Sequence, residues 1–165
     1  MAGERCTYKA SSNLIEGYGE LAVLCRPVLV CPEVMGGLAT PRDPAEIQGN
    51  KVVSCRGTDV TCEYERGAAE ALRLAQEAGC AFALLKENSP SCGCGHVYDG
   101  TFSHTLVEGD GITARAFKRE GIATFGESQI DALSKPSMPK GFKRLCAMRH
   151  FHATCSIWKI GVDKY

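Results

Sequence analysis

"DVTCEYERGAAEALRLAQEAGCAFALLKENSPSCG", residues 59–93, sets the reading of the fold. Its first part has a helical period. Apolar residues recur at Ala68, Ala71, Leu72 and Ala75, Asp59 or Thr61 stands where an N-cap belongs, and Gly79 ends the run. "CAFALLKE" follows at once as an apolar run without polar alternation, the pattern of a buried strand. "NSPSCG" then supplies residues that turn the chain. Helix, buried strand and polar loop in this order form one unit of a parallel α/β fold.

The flanking sequence repeats the unit. "RPVLVCPE" reads as a buried strand ending near Cys31, "KVVSC" as a short strand and "IATFGE" as another. "SSNLIEGYGELAVLC", "ITARAFKREG" and "SQIDALSK" read as helices, the second started by Asp110 and stopped by Gly121. "VMGGLATPRDPAEIQGN" and "NSPSCGCGHVYDGTFSHTLVEGDG" are rich in glycine, proline and small polar residues and read as loops. The expected fold class is α/β: a three-layer, Rossmann-like sandwich around a mainly parallel sheet with right-handed crossovers. Residues 1–134 form one domain in this reading, and 135–165, where the alternation stops, a basic, cysteine-containing tail.

The 165 residues suffice for one domain with a core, and 44% hydrophobic content opposes disorder. No run of eighteen apolar residues exists, and "MAGERCTYKA" has no apolar signal segment. A reducing, cytoplasmic location follows as the expectation, and ten cysteines there point to metal or redox chemistry rather than disulfides. Cys25, Cys62 and Cys80 fall in or beside apolar segments and read as small buried hydrophobes, whereas Cys55 is ambiguous. Residues 1–134 carry 12 Lys and Arg against 18 Asp and Glu, and residues 135–165 carry 7 against one. That basic tail reads either as a solvated extension or as a weak RNA contact.

In open parallel sheets, ligands bind beyond the carboxyl ends of the strands. Cys31 and Glu33 stand at one such end, and Ser89, Ser91, Cys92 and Cys94 just after another, so two distant loops are expected at one mouth. Thiolates are soft ligands for zinc, copper(I) or iron–sulfur clusters. No Cys-x₂₋₄-Cys knuckle accompanies them, and up to three separated thiolates, Cys31, Cys92 and Cys94, suit a cubane with one open iron better than a zinc ribbon. Blander roles stand beside these: Glu33 as a loop cap, Ser89 as a turn former before Pro90, His96 and His104 as solvated, and Asp99 making a turn with Gly100, while Arg42 reads equally as half of an ion pair or as a contact to an anionic substrate group, and Lys86 as a surface residue or one facing the site.

Several segments occur together in order and spacing: "CPEVMGGLATPRDPAEI", "GTDVT" before "GAAEALRLA", "LLKENSPSCG", "YDGTF", "GDGITARAFKREGI" and "TFGE". Over roughly residues 3–130 the chain thereby resembles the thiouracil desulfidase (TudS-like) family, first described as a bacterial domain of unknown function. The resemblance implies an α/β domain with a [4Fe–4S] cluster on three cysteines and an open fourth iron. It implies non-redox desulfuration of a thiolated nucleobase or thiolated tRNA nucleotide. Cys92 and Cys31 then match cluster ligands, Glu33 the general base or proton shuttle, and Ser89 a residue bonding the substrate or a proton path. Family members begin with a strand ending in a "Ser-Ala-Cys-Leu" segment, and here "RCTYKA" matches only the turn that follows it. The first strand and its cysteine are therefore expected to be absent, with Cys94 or Cys6 as the substitutes to consider. Two other readings stay open: a non-enzymatic module binding zinc through Cys31, Cys92, Cys94 and His96, and a truncated relative without a ligand.

Overall fold

The computed structural model describes residues 8–9, 15–24, 27–134 and 158–160. In chain order it contains α1 (Tyr18–Leu24), β1 (Val28–Leu29), α2 (Pro32–Met35), β2 (Ala45–Gln48), β3 (Lys51–Ser54), α3 (Thr61–Glu77) and β4 (Phe82–Leu85). These are followed by β5 (His96–Tyr98), β6 (Leu106–Glu108), α4 (Ile112–Arg119), β7 (Ala123–Gly126), a 3₁₀ turn (Glu127–Gln129), α5 (Ile130–Ser134) and β8 (Trp158–Ile160).

The fold is α/β around a parallel sheet of four short strands in the order β1-β8-β4-β7. Strand β4 is buried along its whole length, and its period of two divides the core. Ala83 and Leu85 join Ala71 and Ala75 of α3 with Ala114 and Phe117 of α4. Phe82 and Leu84 join Leu21 of α1 with Ile130 and Leu133 of the last helix. Helices thus cover both faces of β4, which is why the sequence reads there as an unbroken apolar run. Strand β8 comes from the segment read as a tail, yet its backbone pairs with both β1 and β4.

Two hairpins lie outside this sheet, and the sequence reading took both for loop or misplaced their strands. β2 and β3 pair antiparallel, so "KVVSC" is a strand but belongs to no parallel sheet. β2 was hidden because Ala45 and Glu46 are adjacent and both buried, which breaks the alternation of a half-buried strand. β5 and β6 are three residues each, with Val97 alone buried, too short to show a period. Glu46 ties the hairpins together. Its Oε2 accepts the N–H groups of Gly100 at 2.9 Å and Phe102 at 3.0 Å. Asp99 closes the same turn by accepting from the Thr101 N–H and hydroxyl, while Gly100 takes φ +89°, as a glycine can.

The expectations for lone residues divide. Cys80 packs partly buried on the α3–α4 side of the core, Cys62 is exposed in the first turn of α3, and Cys25 lies outside the described residues. The Cys62 expectation fails because its position in that first turn faces solvent, on the side of α3 opposite to Ala68 and Ala71. Asp110 does not cap α4: Gly111 holds that position, and the Asp110 carboxylate accepts from the Gly95 N–H at 2.8 Å and from Lys118 at 2.6 Å.

The contact that carries α2 is its approach to α3. A Cβ on Gly36 would stand 1.9 Å from the carbonyl oxygen of Glu63, and a Cβ on Gly67 would stand 1.9 Å from that of Pro32. Backbone meets backbone, so no side chain can swing aside. Arg66 of α3 completes the joint by donating through Nε to the Gly36 carbonyl at 2.9 Å. We expect Gly36→Ala or Gly67→Ala to destabilise the fold by at least the ~1–3 kcal/mol of a forced overpacking. Gly19→Ala in α1, where the new Cβ meets nothing within 4 Å, should leave the melting temperature level or slightly higher. Equal melting temperatures for Gly19→Ala and Gly67→Ala would remove this contact from its place in the fold.

Candidate functional site

Strand β1 delivers Cys31 to the N-cap position of α2, with extended φ −126° and ψ 103°, and Pro32 follows at the first helical position, where its fixed φ suits the helix. The Cys31 carbonyl accepts the Met35 N–H at 2.9 Å. This one turn of helix, pressed on α3, points Glu33 inward until 1% of it remains exposed. Glu33 Oε2 accepts from Arg42 Nε at 2.7 Å, and Oε1 is buried with no hydrogen-bond partner. The Tyr64 hydroxyl of α3 lies beside the same carboxylate. Burial pushes the Glu33 carboxyl above the usual carboxylate range, against the pull of the Arg42 charge and of both hydrogen-bonding neighbours. Arg42 is itself largely buried; burial works against its charge, but Glu33 and Cys31 outweigh it and hold the guanidinium firmly protonated. Its Nη1 donates to the Ala39 carbonyl and the Thr40 hydroxyl, both at 3.1 Å, and its main-chain N–H donates to the Tyr8 carbonyl at 2.9 Å.

The second loop leaves the end of β4. Asn88 takes a left-handed φ of 62°, and Ser89 Oγ then accepts the N–H of Ser91 at 3.1 Å and of Cys92 at 3.2 Å. The turn is locked from above by the start of α4. Ile112 N–H donates to the Pro90 carbonyl at 2.9 Å, Thr113 N–H to that of Ser91 at 2.8 Å, and Gly111 N–H to that of Gly93 at 2.9 Å. Ser91 and Thr113 share a buried hydroxyl–hydroxyl bond of 3.0 Å. Gly93 is forced by space: a Cβ there would meet the carbonyl oxygens of His96 at 2.6 Å and Ser89 at 2.8 Å. Cys92 ends fully buried. Burial pushes its thiol well above the ordinary cysteine range; the Ser91 and Ser89 hydroxyls pull it back in part, while Glu33 and Cys94 add to the rise. Glu33 is thus near enough to Cys92 for its charge to act on that thiol, so the two loops approach each other.

Cys94 adjoins the turn, whereas the histidines and Lys86 have other surroundings. The Cys94 thiol donates to the Cys92 carbonyl at 3.6 Å and has Lys118, Asp110 and Glu87 as charged neighbours. His96 and His104 are exposed, His104 edge-on to the Tyr98 ring at 6.1 Å between centroids. The zinc set of Cys31, Cys92, Cys94 and His96 is therefore not assembled, and among the described residues no three His, Cys, Asp or Glu side chains converge as a metal site. Lys86, read as a surface residue or one facing the site, is 3% exposed and paired with Glu127, which also accepts the Glu87 N–H at 3.2 Å. Tyr64 and Glu46 were missed by the sequence reading: Tyr64 stands in register with Ala68, Ala71 and Ala75 of α3, whereas the pattern of β2 does not mark Glu46.

Residues 1–129 match the family described as 2-thiouracil desulfurase. A Bacillus subtilis (strain 168) relative, described as the uncharacterized protein YbbK, is 39% identical over 141 residues, covering 79% of this chain and 93% of its own length. A solved structure described as the [4Fe–4S]-dependent thiouracil desulfidase TudS superposes with a TM-score of 0.76 at 44% identity, over 81% of this chain and 89% of that one. No helix among the described residues is long and apolar enough to cross a membrane.

Burial and raised pKa keep the Cys92 thiol protonated, and only the thiolate is nucleophilic. In the folded, metal-free protein at pH 8, iodoacetamide should label the exposed Cys55 and Cys62 first and leave Cys31 and Cys92 unlabelled until denaturant is added. Peptide mass spectrometry reads the order; early labelling of Cys92 would contradict its seat in the core.

Proposed function

The chain belongs to the 2-thiouracil desulfurase family, and from that premise we propose how its residues perform iron–sulfur-dependent, non-redox desulfuration of a thiolated pyrimidine. Thiouracil and water give uracil and hydrogen sulfide. The observation that carries the assignment of roles is the pairing of a buried thiol loop with a buried carboxylate whose second oxygen is unsatisfied.

Cys31 and Cys92 fit a [4Fe–4S] cluster as two of its thiolate ligands. Both are buried on loops that meet, and the orphaned Glu33 Oε1 marks a place for a polar group that the protein itself does not supply. A cluster held by three cysteines needs one more donor, and the described residues bring none to this point. Cys94 engages the Cys92 carbonyl through its thiol and completes no three-residue ligand set, while Cys6, Cys25, Cys146 and Cys155 lie outside the described residues. When bound, such a cluster with one open iron supplies a soft Lewis acid for the thiocarbonyl sulfur. Glu33 then holds water through Oε1 and takes its proton as general base, a task suited to a carboxyl whose pKa burial has raised. Arg42 keeps the other oxygen engaged. Ser89 accepts two N–H groups and so retains one hydroxyl proton to donate beside Cys92, which makes it the residue of a short proton path. The packed walls from Tyr64 and the 89–93 turn exclude bulk water from the carboxylate.

The two helical layers on the opposite faces of β4 support the finer reading of a three-layer, Rossmann-like sandwich. We take the substrate to be a small thiolated pyrimidine, met as a nucleobase or as a thiolated tRNA nucleotide. The RNA contact expected of the basic run at 135–165 lies outside the described residues.

Anaerobic reconstitution followed by sulfide release and the loss of thiouracil absorbance tests this reading. Wild type should hold iron and acid-labile sulfide and convert 2- or 4-thiouracil. Cys31→Ala and Cys92→Ala should lose most of the iron. Glu33→Gln should keep it and lose about 10²–10⁴-fold in kcat, the usual weight of a general base. A cluster-loaded wild type that releases no sulfide from either thiouracil overturns the assignment.

A further inference from the structure

We propose that Arg42 is a positioning residue for this reaction: its guanidinium holds one oxygen of Glu33 in place so that the other faces the reacting water. The proposal rests on the desulfuration assigned above and adds a residue and a division of labour that the assignment does not contain.

The argument is geometric. A buried Arg–carboxylate pair that serves stability alone gains most from the bidentate, fork-to-fork arrangement, which engages both carboxylate oxygens. Here the contact is end-on. Arg42 Nε meets Oε2 at 2.7 Å, and Oε1 is left buried without a partner. The side chains are 7% and 1% exposed, so solvent does not supply what the pair leaves out. An unsatisfied oxygen at such a depth is a cost; Glu46 carries one too while holding a turn through backbone amides, but that of Glu33 stands near a buried thiol.

Arg42 is also anchored independently of the carboxylate. Nη1 is held by the Ala39 carbonyl and the Thr40 hydroxyl, and the main-chain N–H by the Tyr8 carbonyl. A planar guanidinium fixed on its far side cannot follow a rotating carboxylate, so the guanidinium sets the plane of Glu33 and not the reverse. The other end of Glu33 is fixed by α2 on α3, where Gly36 and Gly67 permit no slack. With the backbone fixed at one end and Oε2 at the other, Oε1 has a single direction. Lysine would supply one rotating ammonium and could not make the same three contacts in one plane.

The test uses the cluster-loaded full chain with Arg42→Gln, Arg42→Lys, Glu33→Gln and the Arg42→Gln/Glu33→Gln double variant. Arg42→Gln should keep the iron content and visible spectrum of wild type, leave KM for thiouracil within about threefold, and lower kcat by roughly 10–100-fold, as a misplaced group does. Arg42→Lys should recover only a small part. In the Glu33→Gln background, Arg42→Gln should cost nothing further. A readout independent of turnover is the carboxylate infrared band that Glu33→Gln abolishes in the metal-free protein, which should shift in Arg42→Gln. If Arg42→Gln does not fold, Arg42→Lys carries the same comparisons. Wild-type kcat in the Arg42 variants, an equal loss with and without Glu33, an unmoved infrared band, or iron content falling in step with kcat each overturn the positioning role alone. A loaded wild type without sulfide release overturns the reaction first, and this role with it.

Discussion

Gly36 and Gly67 bring the backbones of α2 and α3 into direct contact, and the rest of the site depends on that approach. α2 is four residues long and has too few hydrogen bonds to be stable alone. It exists because α3, seventeen residues long, offers a glycine where the short helix must lie, and Arg66 to satisfy its last carbonyls. Cys31 and Glu33 inherit their positions from this joint. With Cβ atoms at either glycine, α2 would stand farther from α3, and Glu33 would move out toward water, where its carboxyl would be an ordinary exposed acid.

A second constraint acts across the sheet. The turn at residues 89–93 has almost no freedom: Ser89 satisfies two of its amides, the start of α4 engages three of its carbonyls, and the β5 strand lies against Gly93. Such a turn holds a thiol without adjusting to what binds it. The opposing loop is different in kind, since Glu33 and Arg42 place charge in a buried setting and must compensate each other there. One side of the mouth is therefore rigid through backbone hydrogen bonds, and the other through a buried ion pair. Neither depends on the surface pairs, such as Arg73 with Glu70 and Glu77, whose contribution in solvent is small.

How much of this was legible in the sequence follows from the length over which each signal is written. α3 and β4 announce themselves because a helix with Ala68, Ala71 and Ala75 on one face, and a strand with Phe82 to Leu85 buried on both, repeat their period several times. α2, β2 and the β5–β6 hairpin are three or four residues each and repeat nothing. The thiols and the acid were found from strand-end position and motif. Arg42 was read as half of an ion pair but without its partner Glu33, nine residues away, and Tyr64, on another element, was not read at all. Pairings of that kind depend on tertiary distance, which single-sequence periodicity does not encode. The orphaned Oε1 is beyond any sequence reading, because it is a property of what fails to arrive.

Strand β8 occupies the place between β1 and β4 although it is the latest of the strands in chain order. A ribosome extends the chain at about 5–20 residues per second, so every other element is made seconds before this one emerges. During that interval α3, α4 and β7 can already pack on β4, whereas β1 has no other strand partner among the described residues. The nascent chain therefore holds its two cysteine loops through the α2–α3 joint and the packing of α3 on β4 before the sheet between β1 and β4 is filled. Closure of the parallel sheet between β1 and β4 is thus the latest pairing step in chain order, while the seat of Cys31 and Glu33 on α3 is available long before it.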